Sequence, residues 1–91
     1  MAKFTTRVEL HDADDSDYDE LHKFMRAEGF IRTIEAGGEQ YRLPPAEYNR
    51  VAELRCDDVR SAAVRAAKKT GKTHAVLVTE GTRCWIGLEE V

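Results

Sequence analysis

Imidazole, guanidinium and indole groups recur along this chain where a β-sheet could present them together. In the stretch Phe4 to Glu20, FTTRVELHDADDSDYDE, the residues Phe4, Thr6, Val8 and Leu10 alternate with Thr5, Arg7, Glu9 and His11. That period of two marks a half-buried strand whose polar face carries Arg7, Glu9 and His11. Arg32 and Arg42 fall in two strand-like runs, FIRTIE and EQYRL, joined by Ala36-Gly37-Gly38. A tight hairpin brings the two arginines close, with one or both on the open sheet face. In RCWIGL, Arg83 and Trp85 alternate with Cys84 and Ile86 and share a face. Guanidinium groups neutralise phosphate and an indole stacks a base, so Arg7, Arg83 and Trp85 are candidate RNA-binding residues. The bland alternative is that Trp85 only caps the core.

Cleaving RNA without a metal requires a base to activate the 2′-hydroxyl, an acid for the leaving oxygen and positive charge at the phosphate. His11 suits the first two roles, because a free imidazole titrates near pH ~6.5. Arg32 and Arg42 suit the third, which makes His11, Arg32 and Arg42 the catalytic candidates. His22 lies off the apolar stripe of its helix and His74 starts a strand; both read as structural or surface residues.

The carboxylates Asp12, Asp14, Asp15, Asp17, Asp19 and Glu20 crowd the end of the first strand. They either bind a partner or start a helix, whose N-terminus favours negative charge. Read from Asp12, the loop has Asp17 and Lys23 where a calcium-binding EF-hand needs glycine and glutamate. There is no phosphate-binding glycine loop, zinc-peptidase motif or nucleophile elbow. A metal on His11, Asp12 and Asp14 is chemically open, but oxygen-rich loops are more often solvated, and neither metal nor cofactor is expected.

The elements that must position these groups follow in order. Tyr18, Leu21, Phe24 and Met25 mark a helix from about residue 17 to 28, with Ser16 or Asp15 as N-cap and Gly29 beyond its end. Pro44-Pro45 stops the second hairpin strand, and residues 46–56 read as a loop or a short helical turn. Asp57 is the expected N-cap of a second helix to about Thr70, with a narrow stripe of Val59, Ala62, Ala63, Ala66 and Ala67. HAVLVTE is a strand and RCWIGL an additional C-terminal one. The expectation is one α+β domain over residues 1–91, a ferredoxin-like βαββαβ antiparallel sheet with two helices on one face.

Composition bounds the rest. With 91 residues, 42% of them apolar, and a net charge of −3, one modest core is expected. No apolar run spans a bilayer and no hydrophobic leader is evident, so a soluble, cytoplasmic protein is expected. Cys56 and Cys84 have no paired spacing and read as reduced, structural thiols. The bases Arg60, Arg65, Lys68, Lys69 and Lys72 form a run without acids, most simply a solvated helix face.

The strings KFTTRVELHDAD, GFIRTI, YRLPPAEYN and TGKTHAVLVTEGTRCWIGLEEV, in this order, resemble the small bacterial and prophage family of the antitoxin GhoS. The resemblance implies a ferredoxin-like fold similar to that of the small CRISPR-associated nucleases. It also implies a type V toxin–antitoxin function, an endoribonuclease acting on a toxin's mRNA. An arginine implicated in that activity is nearest to Arg32 or Arg42, and an acidic residue at the end of the first strand in the CRISPR-associated relatives falls near Asp12. The alternative expectation is a non-enzymatic phage or prophage protein whose acidic loop blocks a host nucleoprotein. A homodimer joined through edge strands is a third.

Overall fold

Alternation along the first strand decides the architecture. The computed structural model describes residues 1–91, and β1 (Ala2–Leu10) buries Phe4, Thr6, Val8 and Leu10 while Lys3, Arg7 and Glu9 stay exposed. Such a strand needs cover on one face. It pairs antiparallel with β4 (Glu47–Ala52), from Ala2↔Ala52 to Arg7↔Glu47. On its other edge lies β5 (His74–Glu80), from Phe4↔Glu80 to Leu10↔His74, giving the order β4-β1-β5. β2 (Thr33–Ala36) and β3 (Glu39–Arg42) form a separate antiparallel hairpin. Ile31 and Asn49 bond reciprocally at 2.9 and 2.7 Å and so attach the run into β2 to the edge of β4.

α1 (Asp15–Ala27) and α2 (Cys56–Lys68) cover the inner face of the sheet. α1 contributes Leu21 and Met25, and α2 contributes Val59 with its four alanines, whose lack of bulk lets the helix lie close against the strands. Phe4, Val8, Leu10, Phe30 and Tyr48 complete the core. The fold is α+β, as expected. No helix is long and apolar enough to cross a membrane.

The helix starts differ from expectation for one reason. In each, an aspartate three residues on accepts the backbone N–H of the cap: Asp17 Oδ2 for Asp14 (3.0 Å) and Asp58 Oδ2 for Arg55 (3.1 Å). The N-caps are therefore Asp14 and Arg55, and both helices begin two residues early. The end of α1 is as expected. Gly29 sits at φ +95°, its N–H bonds Arg26 O at 2.9 Å, and that of Phe30 bonds Met25 O at 3.0 Å.

Three expectations are corrected. Residues 47–52 form a strand, not a loop or turn; Tyr48 and Asn49 are both buried, so the alternation that reveals a half-exposed strand is missing. The additional C-terminal strand does not exist: the chain turns at Gly81 (φ +147°) and crosses the outer face of the sheet. Arg83 Nη1 anchors it, donating to Phe4 O at 3.1 Å and Asn49 Oδ1 at 2.8 Å. Its end then bonds the hairpin, Arg42 N–H to Glu89 O at 2.8 Å and Val91 N–H to Gln40 O at 2.9 Å. The outer face is consequently not wholly open. Ile34 and Leu43 of the hairpin region are buried and share a cavity with Thr5 and Thr79 of the sheet. Cys56 and Cys84 are free, as expected, but both are exposed rather than packed in the core.

Candidate nucleic-acid interface

Asp19, His22, Lys23 and Arg26 are spaced i, i+3, i+4 and i+7 and so share one face of α1. The Gly29 turn reverses the chain and lays Ile31, Arg32 and Thr33 beside that face. Arg42 joins them because it stands opposite Thr33 in the hairpin register. A cleft of ≈ 510 Å³ lies between the helix and the hairpin, lined by these residues and Phe30. Four permanent cations, Lys23, Arg26, Arg32 and Arg42, meet one carboxylate, Asp19.

Arg32 is the least satisfied of the four. Burial, and next the charge of Arg42, pull its guanidinium below its ordinary pKa. Its Nε is buried without a hydrogen-bond partner. An unpaired buried N–H costs roughly 1–3 kcal/mol, and the terminal guanidinium nitrogens of Arg32, which have no protein partner, are left for an anion in the cleft.

His22 is fixed by a buried neighbour. Its Nδ1 lies 2.6 Å from the hydroxyl of Tyr48. Burial raises that phenol above its ordinary pKa, so it stays neutral, and it has no other partner. The Tyr48 O–H therefore donates to Nδ1 and places the neutral ring's proton on Nε2. Burial first, and then Arg32, hold His22 below its ordinary pKa. The cleft thus offers a neutral N–H donor among fixed positive charges, suited to gripping phosphate oxygens and stabilising charge that develops on them.

The structure brings Arg32 and Arg42 together, but toward α1 and not on the open sheet face. His11 is not with them. It ends β1, exposed, with Nδ1 3.2 Å from Thr73 Oγ1 and Nε2 3.7 Å from Glu9 Oε1. Arg7 lies on the outer face with Nη2 3.8 Å from Glu9. Arg83 is half-buried and tied to backbone and Asn49, while Trp85 packs against Tyr41 with ring centroids 5.8 Å apart. Arg83 and Trp85 share an outer-face cavity of ≈ 490 Å³, but Arg7 is not part of it. His22, Lys23 and Arg26 were missed as site residues. Their common helical face was readable; the hairpin arginines opposite them were not.

Three of the six carboxylates in the acidic stretch, Asp14, Asp17 and Glu20, are engaged. Asp14 and Asp17 form the capping box, and the Ser16 hydroxyl, ahead of the Asp17 N–H, holds the Asp14 carboxyl below its usual range. Lys72 Nζ reaches Asp12 O at 3.0 Å and Asp17 Oδ2 at 3.7 Å. No group of three or more His, Cys, Asp or Glu is placed to hold a metal ion. The basic run of α2 is also spoken for in part, since Arg65 grips Glu28 through Nε and Nη2 at 3.2 and 3.0 Å. No known family, curated protein or solved structure matches the chain.

Proposed function

We propose that this chain is a ferredoxin-like RNA-binding protein of the type V antitoxin kind, which holds the phosphodiester backbone of a toxin's mRNA in the cleft between α1 and the hairpin. The carrying observation is Arg32, a partly buried cation with an unpartnered N–H beside three more cations. Strand order supports the fold reading: with the Ile31 bridge counted, β1 lies between β4 and β5 and the run into β2 lies outside β4, the split βαβ order. The resemblance described above supports the RNA, the toxin and the cytoplasmic setting. The cleft supplies the charge that metal-independent attack of a 2′-hydroxyl on its own phosphate needs, through Arg32 and Arg42. His22 Nδ1, however, is taken by Tyr48 and His11 lies elsewhere, so the reading is RNA binding.

Titration of a labelled single-stranded RNA, followed by fluorescence anisotropy with EDTA present, tests this reading. Arg32→Ala and Arg42→Ala each weaken binding about tenfold, or ~1.4 kcal/mol, while Arg55→Ala at the N-cap of α2 leaves it unchanged. Wild-type protein that binds no RNA at low salt, or loses as much through Arg55→Ala, overturns it.

A further inference from the structure

β5 is the last strand in the order β4-β1-β5, so one of its edges carries no strand. Hydrogen bonds on the other edge fix which residues face outward. Gly81 N–H bonds Lys3 O at 2.9 Å and His11 N–H bonds Thr73 O at 2.9 Å. With the register Thr5↔Thr79 and Arg7↔Leu77, odd-numbered residues of β5 turn their backbone groups toward β1. His74, Val76, Val78 and Glu80 turn theirs outward. The Val78 carbonyl is met from outside by the Cys56 thiol, at 3.7 Å, which agrees with that parity.

Apart from the Cys56 thiol against the Val78 carbonyl, this edge lacks the devices that usually blunt one. HAVLVTE contains no proline and no lysine, and Leu77 projects from its middle with 64% of its surface exposed. The strand is also complementary to itself. Turned antiparallel about Leu77, it sets His74 opposite Glu80, Ala75 opposite Thr79, Val76 opposite Val78, and Leu77 opposite its own copy. The outward residues meet as hydrogen-bonded pairs, about eight bonds in all, and Leu77 falls at the closely spaced non-hydrogen-bonded position on the axis. That register uses all seven residues and is the one that sets the His74 imidazole opposite the Glu80 carboxylate at both ends.

We propose that β5 pairs with β5 of a second copy of this chain, in antiparallel register centred on Leu77, to form a symmetric dimer with a continuous six-stranded sheet. The pairing also covers the recess of ≈ 450 Å³ that Val76, Leu77 and Val78 share with Arg55, Cys56 and Arg60. None of these residues lines the cationic cleft, so the proposal is independent of RNA binding. Both clefts stay accessible in the dimer.

Sedimentation velocity of the full chain from micromolar to millimolar concentration tests the assembly. The expected result is a concentration-dependent doubling of mass, abolished by Leu77→Lys. Its register is tested in a Cys56→Ser, Cys84→Ser background. There Leu77→Cys forms an intermolecular disulfide on mild oxidation, whereas Thr79→Cys, opposite Ala75, does so at most a tenth as fast. Circular dichroism confirms that each variant is folded. A chain that stays monomeric throughout, a dimer that survives Leu77→Lys, or equal cross-linking at residues 77 and 79 overturns the proposal.

Discussion

His22 is the residue in which fold and cleft chemistry meet. Burial first, and then the charge of Arg32, favour its neutral ring, and Tyr48 bonds its Nδ1. Folding therefore depresses its pKa from the unfolded value of ~6.5. Above that value both states carry a neutral ring and the stabilisation is fully present. As pH falls below it, the unfolded chain takes up a proton that the folded chain resists, and stability declines until the depressed folded pKa is passed. His22→Gln removes this component, so denaturant unfolding at pH 7.5 and 5.5 shows a smaller loss in the variant than in the wild type. Equal losses would mean that the ring titrates freely. A bound phosphate acts oppositely: its charge favours the imidazolium, so wild-type RNA binding tightens over the same fall in pH and that of His22→Gln does so less.

At the scale of elements, the turn after α1 sets the cleft's geometry. Gly29 lies at φ +95°, and a Cβ there would meet the Arg50 guanidinium, whose Nη1 donates to Gly29 O at 2.9 Å. Gly29→Ala must strain the left-handed backbone and expel Arg50, a destabilisation of about 1–2 kcal/mol. Thermal unfolding should fall by roughly 4–16 °C for a domain of this size, and RNA affinity should fall with it because Arg32 hangs from the same turn. An unchanged melting temperature would show that the turn relaxes at no cost. This turn was legible in sequence, as were β1, α1, the hairpin and β5, because each is announced by periodicity or by glycine. β4 was not, since Tyr48 and Asn49 are buried on opposite faces and break the alternation. RCWIGL alternates yet finds no ladder, because Arg83 fastens it by side-chain bonds to residues far away in sequence. The same holds for the site: the arginine types suggested phosphate chemistry, but their direction depended on where the hairpin docks. His22 could be recognised only through Tyr48, 26 positions on.

For the whole molecule, the distribution of charge matters more than its sum. The net charge is −3, so RNA approaches a weakly repulsive body. Glu28–Arg65 and Asp17–Lys72 tie α1 to α2 and its C-terminal turn, pairing charges on that side. In the cleft, four cations face one acid, and its size suits two or three phosphates and not a long track. Each phosphate neutralised on a single strand contributes about −0.7 to the slope of log affinity against log salt. The expected slope is therefore about −2. Arg42→Ala should make it shallower by ~0.7, the mark of a lost phosphate contact and not of a general loss of fold. Asp15→Asn, on the exposed start of α1, changes only the long-range field; it should raise affinity slightly and leave the slope alone. A measured slope steeper than about −4, or one unaffected by Arg42→Ala, would move the RNA to a larger surface than this cleft.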